Sequence, residues 1–416
     1  MKNIYATIIT IGDELLIGQV IDTNSSWMAQ QLNQIGIAVK KRVSIGDNAE
    51  DMRRALDIES KEADVILITG GLGPTADDIT KEVLCEYFEG KMVLNEGALE
   101  NVKYLFETIY KKPVSKVNLA QAEVPDVCEV IQNKRGSAPG MIFKRGGKIF
   151  ISMPGVPYEM QGILNEVLPY LKEQFSLPAI IHKTILTAGI GESALAEMIA
   201  GFEKNLPEKI KLAYLPNYGM VRLRLTTSGF DRIATQKVID GQFNELKELV
   251  KKYTVTNEDE TMQVVLGKLL LNKNKTISTA ESCTGGAIAS LITSVPGSSS
   301  YFEGSIISYS YAVKENLLGV KNETLNKFGA VSEETVLEML NGLLNKLNTD
   351  YGIAVSGIMG PDGGTPDRPV GTVWIAVGSK EKMIAQKIQQ RFSRHKNIEV
   401  TSTMALNLMR KFILEQ

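Results

Sequence analysis

Residues 279–286 read TAESCTGG and set Ser282, Cys283 and Thr284 side by side. A hydroxyl becomes a useful nucleophile only when a neighbouring base takes its proton, and histidine is the commonest base. The chain has 2 histidines, His182 and His395; one lies far upstream of the octet, the other in the charged run RFSRHKN. The remaining candidate is a lysine, because serine–lysine pairs are a recognised form of nucleophile and base. Lys314, in SIISYSYAVKENLLGV, follows an apolar run that reads as a strand and opens a helix, so it can return to the sheet edge that carries Ser282. To act it must be neutral, which requires burial or a cationic neighbour to lower a reference pKa of about 10.4. A solvated surface charge is the ordinary alternative. Gly285 and Gly286 allow close approach to the backbone. A helix starting near Thr284 or Gly285 would offer N–H groups to an oxyanion, at about 3 kcal/mol per donor, or to a phosphate. Ser282 or Thr284 could equally be no more than that helix's N-cap. Cys283 reads as a half-buried core residue. Glu281 has two readings, orienting Lys314 or facing solvent.

A second group lies near the start of the chain. IGDELLIGQVIDTN, VSIGDN and ITGGLGPTADDITKE place Asp13, Glu14, Asp47, Asp77 and Asp78 at turns, with Gly70, Gly71 and Gly73 among them. Carboxylates beside glycine-rich backbone suit a divalent cation that bridges to a phosphorylated ligand. The structural alternative is capping of the helix over ITKEVL by Asp77 and Asp78.

These side chains need elements to hold them. At 416 residues the chain is too long for one ordinary core, which predicts two or three domains. Residues 1–170 alternate apolar strands (YATIITIG, AVKKRVSIGD, ADVILITGG, KIFISMPG) with amphipathic helices (SSWMAQQLNQIG, AEDMRRALDIES, DDITKEVLCEYF), the pattern of an α/β sandwich on a mainly parallel sheet. Residues 171–256 read as a small α+β module, and the polar stretch YTVTNEDET as a linker at 253–261. Residues 257–416 alternate again, with strands at KTISTAES, GSIISYS, YGIAVSG and VGTVWIAVGS, a glycine-rich loop from Gly357 to Gly371, and a closing helix from NIEV onward. Hydrophobic residues make up 44% and charged residues 23% of the chain, with no apolar run of about 18 residues to span a membrane. MKNIYATIITIGDELL reads as a buried first strand, not an export signal. Three scattered cysteines, Cys85, Cys128 and Cys283, fit a reducing, cytoplasmic setting and form no metal pattern. A net charge of −2 supplies no basic field for nucleic acid.

Taken together, TAESCTGG, GSSSYFEGSIISYS with AVK, LLGV, GAVS and SGIMGPDGGTPDRPVGTVW resemble the nicotinamide mononucleotide (NMN) deamidase domain of the CinA family (competence/damage-inducible protein A). The resemblance covers nearly all of residues 260–416. It implies metal-free hydrolysis of the NMN carboxamide, with the nucleophile at Ser282, the general base at Lys314, supporting groups at Tyr309 and Ser356, and a phosphate-binding arginine at Arg394. Thr284, Gly285 and Gly286 would border the substrate. The sequence departs from the family in having Tyr311 where asparagine is usual, Met359 where alanine is usual, and no glycine-aspartate-arginine run around Arg394. GDELLIG, DTN, GGLGPTADD, GSAPGM and MPGVPYEM match, in order, the molybdopterin-binding-like first domain of the same family. This implies a metal-dependent ADP-ribose pyrophosphatase, or else a domain that only binds a nucleotide or pterin. The middle module resembles the family's KH-like domain, yet residues 171–256 lack the GXXG loop that grips nucleic acid. That favours a spacer or dimerisation role, and the resemblance implies a homodimer. The family's name adds a third reading, an accessory factor of competence or recombination.

Overall fold

The computed structural model describes residues 3–217 and 219–416. By contact, the chain divides into two compact units. One holds the segment through His182 with Pro207–Lys211 and Thr226–Gln242; the other holds Lys183–Leu206, Leu212–Leu225 and Phe243–Gln416. The middle segment contributes to both.

The first unit is built on a six-stranded sheet with strand order β2-β1-β3-β8-β7-β6. The strands are β1 (Tyr5–Ile11), β2 (Ala38–Ile45), β3 (Val65–Thr69), β6 (Glu129–Ile131), β7 (Gly140–Arg145) and β8 (Lys148–Met153); a separate ribbon pairs β4 (Met92–Leu94) with β5 (Glu123–Pro125). β1, β2, β3 and β8 run parallel, while β7 and β6 are antiparallel additions. Every residue of β3 and all but the first of β1 are buried, as a sheet covered on both faces requires. Successive side chains serve opposite layers. Ala6, Ile8, Val65 and Leu67 pack with Met28 and Leu32 of helix Thr23–Gln34 and with helix Pro157–Gln174. Ile9, Ile11, Ile66 and Ile68 pack with Met52 and Leu56 of helix Ala49–Glu62 and Val83 and Leu84 of helix Thr80–Tyr87. β1 lies between β2 and β3, so successive connections leave it in opposite directions. The carboxyl ends of β1 and β3 therefore flank a topological switch point, where open sheets place ligands.

The middle segment forms a four-stranded sheet of order β10-β11-β9-β12, from β9 (Ala179–Ala188), β10 (Lys211–Asn217), β11 (Met220–Gly229) and β12 (Thr254–Thr256). β12 falls inside the stretch expected to be a linker. Its Thr-Val-Thr run is β-branched, which suits a strand, and it pairs antiparallel with β9.

The sheet of the second unit has the order β14-β13-β15-β16-β17, from β13 (Ile277–Glu281), β14 (Phe302–Ile307), β15 (Tyr351–Gly357), β16 (Thr372–Gly378) and β17 (Met383–Gln389). β13 is parallel to both neighbours; β16 and β17 follow as antiparallel hairpins. Helices Met262–Lys273 and Arg394–Leu414 cover one face through Leu266, Leu270, Leu406 and Met409. Helix Glu333–Leu347 covers the other through Val336, Met339, Leu340 and Leu343. Among the described residues no helix is long and apolar enough to cross a membrane.

Candidate active site

β13 and β14 run parallel in register, with Glu281 opposite Ile307, so the chain leaves both at one edge of the sheet. Ser282 directly follows β13 and is fixed by its N–H, which donates to Val355 O at 3.0 Å. After β14 the chain turns into helix Tyr311–Leu318, capped by Ser310, whose hydroxyl accepts from Val313 N at 3.3 Å. The first turn of that helix carries Lys314 back over the strand end. Its Nζ lies 2.8 Å from Ser282 Oγ, 2.6 Å from Ser308 O and 3.3 Å from Tyr309 O. Nζ can donate to all three oxygens as the ammonium; as the neutral amine it keeps two N–H bonds for the carbonyls and turns its lone pair to the Ser282 hydroxyl proton. Lys314 is 0% exposed, and burial lowers its pKa to about 8. The surface-charge alternative does not apply.

Ser282 and Lys314 open onto a cavity of about 250 Å³ that Cys283, Tyr309, Ser356 and Arg394 also line. Ser356 Oγ donates to Ala330 O at 2.7 Å and so ties the end of β15 to the segment preceding helix Glu333–Leu347. Arg394 is the first residue of the closing helix; it donates from Nη1 to Gly360 O at 2.7 Å and from Nη2 to the Tyr309 hydroxyl at 3.2 Å. Its guanidinium thus sits on the rim with both nitrogens oriented. Met359 lines the cavity but packs into the core at 2% exposure, so its bulk is largely absorbed by the interior. Neither histidine lines the cavity. Burial pushes the Cys283 thiol up to about 12, which keeps it protonated and a poor nucleophile.

Glu281 fits neither of its two readings. It is 0% exposed and accepts hydrogen bonds from the N–H groups of Gly286, Ile288 and Ala289 at 3.0, 3.1 and 2.8 Å. The helix over Ala287–Thr293 begins two to three residues later than expected, with Gly286 as N-cap and no side-chain cap from Ser282 or Thr284. Its N-terminus is neutralised by Glu281, and the Gly285 N–H donates to Ser282 O. The Gly285 and Gly286 N–H groups are thus both engaged within the protein. Among the described residues the backbone N–H groups of Cys283 and Thr284 donate to no backbone carbonyl, and that of Cys283 lies against its own thiol. The buried Thr284 hydroxyl has no partner among them either.

In the first unit, the carboxyl ends of β1, β3 and β8 surround a cleft of about 360 Å³ lined by Glu14, Asp47, Gly70, Gly71, Gly73, Asp77, Asp78 and Glu159. Asp13 supports it from behind: its N–H donates to Asp47 Oδ2 at 3.1 Å and its Oδ1 accepts from Asp47 N at 3.3 Å. Asp77 and Asp78 do not cap helix Thr80–Tyr87, which has Ile79 as N-cap and no side-chain cap bond. Asp78 instead accepts from Thr75 N at 2.9 Å and pins the glycine-rich loop. Gly70 and Gly71 have φ of 114° and 63°, and a Cβ on either would overlap Ile11 O or the Thr80 hydroxyl; only glycine fits there. Among the described residues no three acidic, histidine or cysteine side chains form a ready metal cage. Even so, the donor chemistry fits a hard cation. Burial and the charges of Asp13, Glu14 and Asp77 raise the Asp47 carboxyl against the hydrogen bond from Asp13 N–H. Oxygen donors that form no closed cage suit an ion that completes its shell with phosphate oxygens and water.

Glu159 was missed in the sequence although MPGVPYEM was singled out. Its Oε2 accepts from Asn133 Nδ2 at 2.7 Å, burial raises its pKa, and a Cβ at Gly136 would overlap its carboxyl. The signal available was the acidic Glu159 inside the glycine- and proline-bearing run MPGVPYEM; its meeting with Gly136 of GSAPGM is a tertiary fact.

Family models match along the chain in the same order: a probable molybdopterin binding domain over residues 7–173, the KH domain of damage-inducible protein CinA over 182–255, and the CinA C-terminal domain over 259–413. A CinA-like protein of Flavobacterium psychrophilum is 48% identical over 412 residues, covering 99% of each chain. One of Cytophaga hutchinsonii is 45% identical over 414 residues, again covering 99% of each. Among solved structures, a CinA superfamily protein of Klebsiella pneumoniae is 28% identical with a TM-score of 0.37, covering 37% of this chain and 97% of its own. With near full-length identity to CinA-like proteins and three domain matches in order, the chain belongs to the CinA family.

Proposed function

We propose that this protein is a bifunctional hydrolase of pyridine nucleotide salvage, with an NMN amidohydrolase in the C-terminal domain. The observation that carries this reading is the fully buried Lys314 amine 2.8 Å from Ser282 Oγ. Ser282 Oγ attacks the carboxamide carbon of NMN while Lys314 takes the hydroxyl proton. Backbone N–H groups around Cys283, which lines the cavity, meet the tetrahedral oxyanion. Lys314 then returns the proton to the departing nitrogen and ammonia leaves, so the acyl group remains as an ester on Ser282. Water, deprotonated by Lys314, cleaves that ester to nicotinate mononucleotide and regenerates the serine. Arg394, on the rim beside Tyr309, supplies paired donors for the substrate phosphate. Ser282→Ala should lower ammonia release from NMN by at least about a thousandfold, since removing a nucleophile costs several powers of ten. Undiminished release would rule out Ser282, and Lys314→Met should be nearly as severe.

For the N-terminal domain the reading is cleavage of ADP-ribose to AMP and ribose 5-phosphate. A divalent cation held through the oxygens of Glu14, Asp47 and Asp77 would offset the charge of the pyrophosphate when bound. The loop of Gly70, Gly71 and Gly73 lets the phosphates approach the backbone, and Asp78 holds that loop in place. AMP formed from ADP-ribose with added divalent metal is the test; binding without turnover would leave a nucleotide-binding domain instead.

A further inference from the structure

On the wall of the Ser282 cavity formed by the glycine-rich loop, the backbone acceptors are already taken. Ile358 O accepts from Gly371 N at 2.6 Å, Met359 O from Asn397 Nδ2 at 3.0 Å, and Gly360 O from Arg394 Nη1 at 2.7 Å. Across the cavity, Ala330 O accepts from Ser356 Oγ. The Tyr309 hydroxyl accepts from Arg394 Nη2 at 3.2 Å and keeps its own proton to give. Asp362 differs. Among the described residues it is the one acid on the lining. It is exposed, accepts no hydrogen bond and forms no ion pair among them. The backbone leading into it is nonetheless fixed, because Asn397 and Arg394 of the closing helix grip the carbonyls two and three residues earlier. An open carboxylate is thus held on a cavity whose other side chains mostly donate.

We infer that Asp362 determines specificity for the sugar: its carboxylate accepts hydrogen bonds from the 2′- and 3′-hydroxyls of a ribonucleotide bound beside Ser282. The inference rests on the reading of this cavity as an NMN site. The phosphate and the carboxamide oxygen of NMN are acceptors, and Arg394, Tyr309 and backbone N–H groups answer them. The ribose, between the ring that reaches Ser282 and the phosphate assigned to Arg394, brings a cis-diol. Its two O–H donors need an acceptor, and one carboxylate takes both.

The test uses the full-length protein with NMN as substrate and two inhibitors. One is benzamide riboside 5′-monophosphate, whose carbon-linked ring carries no charge; the other is its 2′,3′-dideoxy counterpart. The wild type should bind the dideoxy inhibitor about tenfold more weakly than the riboside. Asp362→Ala should raise the KM for NMN and the inhibition constant of the riboside about tenfold each, with kcat within about twofold and the dideoxy inhibitor unaffected. If the wild type hydrolyses NMN but binds both inhibitors equally, the sugar reading is wrong while the NMN reading stands. A loss in Asp362→Ala confined to NMN also overturns it, because the carboxylate then answers the charge of the pyridinium ring. If the wild type releases no ammonia from NMN, the reading of the site fails and the inference falls with it. The inhibitor pair is compared on unmodified protein, so a folding defect in Asp362→Ala cannot hide the outcome.

Discussion

The chemistry assigned to Lys314 depends on its charge. Burial lowers its pKa to about 8, and only the neutral amine can accept the Ser282 proton. For NMN hydrolysis, kcat/KM should therefore rise about tenfold per pH unit below pH 8 and level off above it. A flat profile between pH 6 and 9 would contradict Lys314 as base. The same shift has a stability consequence. A lysine with a depressed folded-state pKa binds fewer protons folded than unfolded between about pH 8 and its ordinary value of 10.5, so stability rises with pH across that window. The burial penalty is present in full below pH 8 and gone above 10.5, at about 1.4 kcal/mol per pKa unit. At this scale the sequence was legible where residue type alone decides. With only two histidines in the chain, lysine is the base that composition leaves. The environment of Glu281 was not legible, because three of its partners are backbone N–H groups that no side-chain pattern announces.

Elements explain why the reactive pair meets. The parallel pairing of β13 with β14 brings Ser282 and the turn before Lys314 to one edge, and Glu281 locks the intervening backbone by capping helix Ala287–Thr293. Glu281→Ala should lower the unfolding free energy by about 3 kcal/mol or more, since it strands several buried N–H groups. Denaturant unfolding measures this, and a loss under about 1 kcal/mol would contradict the capping role. Strands buried on both faces, such as YATIITI and VILIT, declare themselves as apolar runs. β17 (MIAQKIQ) and β12 (TVT) did not. The first is a half-exposed edge strand with lysine and glutamine on its outer positions, and the second is three residues long and framed by polar turn residues.

For the whole molecule, the two proposed activities belong to separate compact units and use different chemistry. A chelator should abolish AMP formation from ADP-ribose and leave ammonia release from NMN unchanged; Ser282→Ala should do the reverse. Loss of both activities in either experiment would contradict the division of labour. The domain order was readable from composition shifts and motifs, but the sharing of residues 183–242 between the units was not, because it depends on which neighbours those strands and helices pack against.

In the proposed reaction a serine hydroxyl, activated by a buried neutral lysine, carries the acyl group. Rapid quenching of the wild-type reaction with NMN, followed by peptide mass mapping, tests it most directly. The acylated nucleotide should appear on the peptide containing Ser282, attached to that residue. An adduct on Cys283, or turnover that persists in Ser282→Ala, would contradict it.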